Sequence, residues 1–305
     1  MTNSSVTQIF SGGESLYFSN NSFMTTEIEI SSGPVLLAKQ IAARFEAIPQ
    51  VEAVALAGSQ TSPFADQRSD IDLYVYASEP VALSSRAKVA RDARQAEIGN
   101  SFWEPGDEWI DGETGISVDV MFRATPWIEI QLDRVLRRHE ASVGYSTCFW
   151  YNVRNSQPLF DRTGWFERIQ ERARQQYPAE LKRAIVEKNH PVLRTNMSSY
   201  VHQIELALQR RDTVSVNHRV TALLASYFDI VFAVNEQPHP GEKRVLQFAR
   251  ALCPKLPTDM EARMEALLSA LPDGDIVGRA NTMLDGLDDL LKSAGFFPGP
   301  RQKSF

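Results

Sequence analysis

Apolar residues recur at helical spacing from Pro34 to Ile48 (PVLLAKQIAARFEAI), with Pro34 suited to a first helical turn. Val51 to Ala57 (VEAVALA) reads as a strand that stops abruptly at Gly58-Ser59, and Ile71 to Ala77 (IDLYVYA) as a second strand. The rather basic stretch 82–98 is expected to be helical. Glu108 to Ile110 and Ile116 to Phe122 then form a strand pair around the turn sequence DGETG. A helix near 126–142 and a loop containing Pro158 follow. Beyond that the period changes: 164–177, 179–190, 195–211, 213–234, 242–252, 258–271 and 275–294 all carry helical periodicity, and no strand of comparable strength appears past about residue 160. No fixed-period repeat is present, so the second half is a bundle and not a solenoid. The pattern predicts an α+β chain, with a mixed sheet over 26–160 and an all-α helical domain over 161–305. Residues 1–25 lack periodicity and lack the basic-then-apolar layout of an export signal. They read as a disordered leader ahead of a cytoplasmic protein.

Composition narrows this picture. The chain has 305 residues with 43% hydrophobic and 23% charged, enough apolar material for a substantial core. Two cysteines without CxxC spacing exclude a disulfide scaffold and a cysteine-rich zinc module, and five scattered histidines without HExxH argue against a zinc hydrolase. No apolar run approaches the ~18 to 20 residues of a membrane span. The net charge of −6 is unevenly distributed: residues 1–160 carry −8 and residues 161–305 carry +2. An acidic front half suits a site built around cations and disfavours a polynucleotide partner.

Candidate chemistry concentrates in that acidic half. Gly58 after a buried strand lets the backbone turn sharply and approach a ligand, and Ser59 beside it offers a hydroxyl and an amide to a phosphate. Asp70 and Asp72 stand at i and i+2 on a strand, so both project from one face. Paired carboxylates repel unless a dication lies between them, and oxygen ligands suit Mg²⁺ together with substrate phosphates. Asp119, in VDVMF, is flanked by apolar residues, so it is either buried at a cost or aimed at a charged site. Three such carboxylates on adjacent strands would hold metal ions for phosphoryl transfer. From Glu104 to Asp119 the chain holds six acids and no Lys or Arg, with Trp103 and Trp109 interleaved. Glu104, Asp107 and Glu108 are therefore candidates for an anionic, aromatic-walled pocket that takes a polycationic acceptor; the same run also fits a solvated hairpin.

Gly58-Ser59, then Ser69-Asp70-Ile71-Asp72-Leu73, then Asp119 in a later strand, resembles the nucleotidyltransferase superfamily with the fold of DNA polymerase beta. Within it the chain looks most like the antibiotic nucleotidyltransferases and relatives with an added helical domain. The resemblance covers about residues 35–125, with one further segment, Asn235 to Arg244 (NEQPHPGEKR), similar to a loop of those relatives. It implies Mg²⁺-dependent transfer of a nucleoside monophosphate from an NTP, ATP by default, to the hydroxyl of an aminoglycoside- or lincosamide-like molecule, releasing pyrophosphate. It further implies that Gly58 and Ser59 hold the phosphates and that Asp70 and Asp72 ligate Mg²⁺. Asp119 would be a third ligand or the base, and Lys243 and Arg244 would reach the triphosphate. A competing reading is a protein-modifying, toxin–antitoxin-type protein whose helical half carries an Arg-x(4–6)-His ribonuclease motif. Arg211 and His218 fit that spacing.

Overall fold

Alanine, valine and leucine in Val51–Ala57, and isoleucine, valine and tyrosine in Ile71–Ala77, fit a surface covered on both sides, and they form β1 and β2. A computed structural model describes residues 33–61, 70–102, 104–270 and 274–297 of the chain. The leader expected at 1–25 lies outside the described residues, as do Ser69 and Trp103. Ahead of β1 stands α1 (Gly33–Glu46). After β2 come α2 (Leu83–Val89), β3 (Ala93–Asn100), β4 (Gly106–Asp111) and β5 (Ser117–Ala124). Then follow α3 (Thr125–Leu136), α4 (Cys148–Asn155) and β6 (Gln157–Asp161). The six strands make one mixed sheet in the order β3-β4-β5-β2-β1-β6. Only β2 and β5 run parallel, and the other neighbours are antiparallel.

Two expectations are corrected here. Residues 82–98 are not one helix: α2 ends at Val89 and the chain continues as the edge strand β3. Most of β3 is exposed, so it carries no alternation of apolar and polar residues to betray it. The loop around Pro158 is likewise a strand, β6, at the opposite edge, where a proline is tolerated because one row of amides has no partner. Arg162 secures this edge by donating from Nε to the Val51 carbonyl (2.9 Å) and from Nη2 to that of Glu46 (2.7 Å).

Each face of the sheet has its own core. Leu37, Ile41 and Phe45 of α1 pack on Leu56, Leu73, Val75 and Val120 on one face. On the other face, Ala53, Ala55, Tyr74 and Tyr76 meet Ile128 and Leu132 of α3, Trp150 of α4, and Phe166 of α5 (Trp165–Ala173). Small residues on β1 let α5 approach closely. The remaining helices are α6 (Ala179–Arg194), α7 (Tyr200–Gln209), α8 (Thr213–Val234), α9 (Val245–Leu252), α10 (Met260–Ser269) and α11 (Ile276–Ser293). They pack around α8, whose residues from Ser226 to Val234 are buried without interruption, as befits a central helix. The architecture is thus α+β, a mixed sheet followed by a run of helices, and the described residues all belong to one compact unit. Among them, no helix is long and apolar enough to cross a membrane.

Candidate active site

At the end of β1 the chain turns through Gly58 with φ of +64°, opening a short 3-10 turn over Gly58–Thr61. Glycine is required here twice over. The backbone is left-handed, and a methyl group on Gly58 would overlap the Asp72 carboxylate, which lies directly against it. Ser59 continues the turn by its backbone; the expectation for its hydroxyl lies outside the described residues.

Strand pairing brings the acids together. Asp72 on β2 sits opposite Ala57 on one side and in parallel register with Asp119 on the other. Asp119 in turn faces Glu108 on β4, and Glu108 faces Glu97 on β3. Because side chains alternate across a pleat, residues level with one another on neighbouring strands share a face. Glu97, Glu108, Asp119 and Asp72 therefore form a row of four carboxylates across four adjacent strands, and Asp70 lies on the same side just before β2. Burial raises Asp72 above the usual carboxylate value, an effect opposed by Lys243 and reinforced by Asp70. Burial, together with the charges of Asp72 and Glu108, pushes Asp119 up to about 6.

The row borders two cavities that share Asp70, Asp72 lining one and Glu97, Glu108 and Asp119 the other. One, about 310 Å³, is lined by Gly58, Thr61, Asp70 and Asp72, by Tyr151, Asn152 and Asn155 of α4, and by Lys243, Arg244 and Phe248. The other, about 390 Å³, is lined by Gln95, Glu97, Glu108, Ser117 and Asp119. Lys243 is near enough to act electrostatically on both Asp72 and Asp119. Its loop is held by His239, which is 1% exposed. The His239 amide donates to Thr147 Oγ1 (2.7 Å), its Nδ1 accepts from the Gly241 amide (2.9 Å), and its ring packs against Tyr145 and Phe232. Burial lowers the imidazole to about 3, so this clasp is neutral. Arg244, at φ of 54°, then opens α9 from a left-handed conformation.

Five of the residues singled out from sequence (Gly58, Asp70, Asp72, Lys243 and Arg244) thus line one cleft, and Asp119 and Glu108 line the adjoining cavity. Two do not join them. Asp107 points to the opposite face of the sheet, where it is 1% exposed. It accepts from Arg86 Nε (2.9 Å) and Nη2 (2.5 Å) and from the Gly99 amide (2.7 Å), so it has no surface to offer a ligand. Glu104 is taken up by Arg123, which donates from Nε and Nη2 to its two oxygens (3.0 Å each) while stacking on Tyr74. Trp109 lies in the core on the opposite face from Glu108, 6% exposed, while its backbone stretch borders the acid-lined cavity. Glu97 and the cleft residues of α4 are the additions that sequence reasoning missed. The signal for Glu97 was its two-residue offset from Gln95 on a segment read as helix. Arg211 sits in a left-handed turn before α8, and His218 lines a groove beside Tyr145 and Tyr200.

Among the described residues, no three Asp, Glu, His or Cys side chains form a ready-made metal cage. Mg²⁺ commonly takes only one or two carboxylates, with phosphates and water completing its shell. Asp70, Asp72 and Asp119 are oxygen donors, and the repulsion and burial that raise Asp72 and Asp119 are what a dication relieves. The donor set fits that ion.

No protein-family model and no curated protein matches the chain. Among solved structures it is similar to a nucleotidyltransferase-like protein from Exiguobacterium sibiricum, at 15% identity and a TM-score of 0.41 over 84% of this chain and 73% of that one. It is also similar to the CCA-adding enzyme of Thermotoga maritima, solved with tRNA, at 14% identity and a TM-score of 0.29 over 88% of this chain and 67% of that one. Likeness at this level carries no weight for function, which rests on the site itself.

Proposed function

We propose that the chain is a Mg²⁺-dependent nucleotidyltransferase that moves a nucleoside monophosphate from an NTP to a hydroxyl of a small cationic molecule of aminoglycoside type. The observation that carries this reading is the parallel register of Asp72, which lines a cleft with Lys243 and Arg244, with Asp119, which lines an acidic cavity. Cationic side chains and a close-approach glycine lining one cleft suit a triphosphate. The acid-lined cavity suits a positively charged acceptor.

In this reading Asp70 and Asp72, joined by Asp119 where it is a ligand and not the base, would hold the ion, which when bound supplies charge neutralisation to the phosphates. Lys243 and Arg244 draw the triphosphate into the cleft and offset the charge of the leaving pyrophosphate. Gly58 lets the phosphate chain lie against the backbone. Glu97 and Glu108 orient the acceptor beside Asp119. The acceptor oxygen attacks the α-phosphorus, the bond from that phosphorus to the β-bridging oxygen breaks, and pyrophosphate departs. If Asp119 is the base, it accepts the hydroxyl proton, a role to which a carboxyl raised to about 6 is suited.

The test is pyrophosphate release from NTPs with Mg²⁺ over a panel of aminoglycosides, lincosamides and proteins. Wild type is expected to turn over with a cationic small molecule. Asp70→Asn and Asp72→Asn are expected to lose roughly 10²- to 10³-fold, the scale of losing one electrostatic element of a transition state, while melting no lower than wild type. Full activity in Asp70→Asn would remove the metal assignment. Turnover only with a protein acceptor would favour the protein-modifying reading. No turnover and no NTP binding in the wild type would end the proposal.

A further inference from the structure

The cleft is chemically divided. Gly58, Asp70, Asp72, Lys243 and Arg244 supply its charged part, whereas Tyr151 and Asn152 of α4 and Phe248 of α9 are uncharged. The Tyr151 and Phe248 rings meet edge to face, with centroids 5.9 Å apart and planes at 79°. Tyr151 is half-buried and Phe248, 8% exposed, braces it from the helical core, so the pair turns a strip of apolar aromatic surface to the cleft. Asn152 is half-buried beside them. The side-chain amide of Asn155, one turn on, donates to the Tyr151 carbonyl (2.8 Å), but no hydrogen bond involves the Asn152 side chain among the described residues. An asparagine amide sets one donor beside one acceptor, and here that pair lines a cleft already flanked by aromatic surface.

Those three features together recognise a heteroaromatic ring that carries an amine next to a ring nitrogen. Resting on the nucleotidyl-transfer reading, we infer that Tyr151, Asn152 and Phe248 form a nucleobase subsite, that Asn152 reads the edge of the base, and that the base it prefers is adenine. Adenine places a donor amine beside an acceptor nitrogen, the complement of an asparagine amide. Guanine presents two neighbouring donors on its pairing edge, which call for a carboxylate. The carboxylates lining this cleft, Asp70 and Asp72, belong to its charged part. Cytosine offers the same pair as adenine on a smaller ring that covers less of the aromatic surface.

Calorimetric titration of the full chain with Mg²⁺ and, separately, ATP, GTP, CTP, UTP and inorganic tripolyphosphate tests this without requiring an acceptor. ATP is expected to bind the wild type at least tenfold more tightly than GTP or tripolyphosphate. Asn152→Ala is expected to weaken ATP roughly tenfold and leave tripolyphosphate unchanged. Asn152→Asp, which turns the amide into two acceptors, is expected to reverse the order of ATP and GTP. Equal binding of ATP and tripolyphosphate by the wild type would overturn the inference while leaving nucleotidyl transfer in place, and so would an ATP-to-GTP ratio unmoved by Asn152→Asp. The wild-type comparison needs no variant to fold. Absence of binding by every triphosphate would instead overturn the proposed function, and this subsite with it.

Discussion

Asp107 and Glu108 are consecutive residues on one strand, and the fold gives them opposite roles. Asp107 points beneath the sheet into a core, where Arg86, held over the Phe122 ring, neutralises it. Glu108 points the other way, into an open cavity beside Asp119. The same contrast runs through the molecule. A buried acid that has donors aimed at it is part of the scaffold, as Asp107 is with Arg86. A half-buried acid surrounded by other acids, as Asp119 is, carries unbalanced charge that a ligand must relieve. Burial alone does not separate the two; the partners do.

Breaking the scaffold side of this comparison should have the largest effect on stability. Asp107→Asn keeps the shape but leaves the Arg86 guanidinium buried without its counter-charge, and is expected to cost about 3–5 kcal/mol in urea unfolding. Acceptor affinity should not change in whatever fraction remains folded. A loss of acceptor binding without a loss of stability would return Asp107 to the site.

Asp229 sharpens the comparison because it is buried with neutral donors only. It accepts from the Ser146 hydroxyl (2.6 Å) and amide (3.0 Å) and from Asn189 (3.2 Å). Burial outweighs these bonds and pushes its carboxyl up to about 7, from an ordinary value of 3.8. The folded protein therefore keeps this proton to a higher pH than the unfolded chain does. The stability it contributes is full below about pH 4, falls as pH rises to about 7, and is level above. Asp229→Asn is expected to flatten the unfolding free energy across that window by a few kcal/mol. An unchanged pH slope between 4 and 7 in the variant would show that Asp229 is already charged in the fold.

On the site side, Gly58→Ala places a side chain at a left-handed residue and against Asp72. It is expected to cost about 1–3 kcal/mol of stability and to lower turnover more than the stability loss explains, since Asp72 must shift. Retention of full turnover would separate Asp72 from the reaction. The smallest effect belongs to the exposed end of the row. Glu97→Gln and Glu108→Gln should leave the melting temperature unmoved and each raise the KM of a cationic acceptor about two- to fivefold, the worth of a solvent-exposed charge pair. An unchanged KM in the double variant would show that the acceptor binds elsewhere.

Much of this architecture was legible beforehand. β1 and β2 announced themselves because strands covered on both faces are short runs of apolar β-formers, β5 because it follows the turn sequence DGETG with apolar residues in alternation, and the change to helical period past residue 160 marked where the sheet ends. The edge strands β3 and β6 were not legible, since strands open to solvent carry no repeating apolar signal and are defined by pairing. That difference hid Glu97 within an expected helix. It also left α4, an eight-residue helix with Asn152 and Asn155 on it, without a recognisable pattern.

Sequence by itself determined that Asp70 and Asp72 share a face, because the pleat has a period of two, and that the chain must turn at Gly58. Tertiary structure decided everything that depends on contacts between distant segments. The parallel register of β2 with β5 sets Asp119 level with Asp72, and the pairing of β4 with β5 turns Glu108 toward the site and Asp107 away. The His239 clasp carries Lys243 from the helical half to carboxylates on the sheet. Periodicity is a local property of the backbone and can be read from neighbours along the chain. Which acids meet a cation, which meet each other and which meet an empty cleft are set by how separate elements pack.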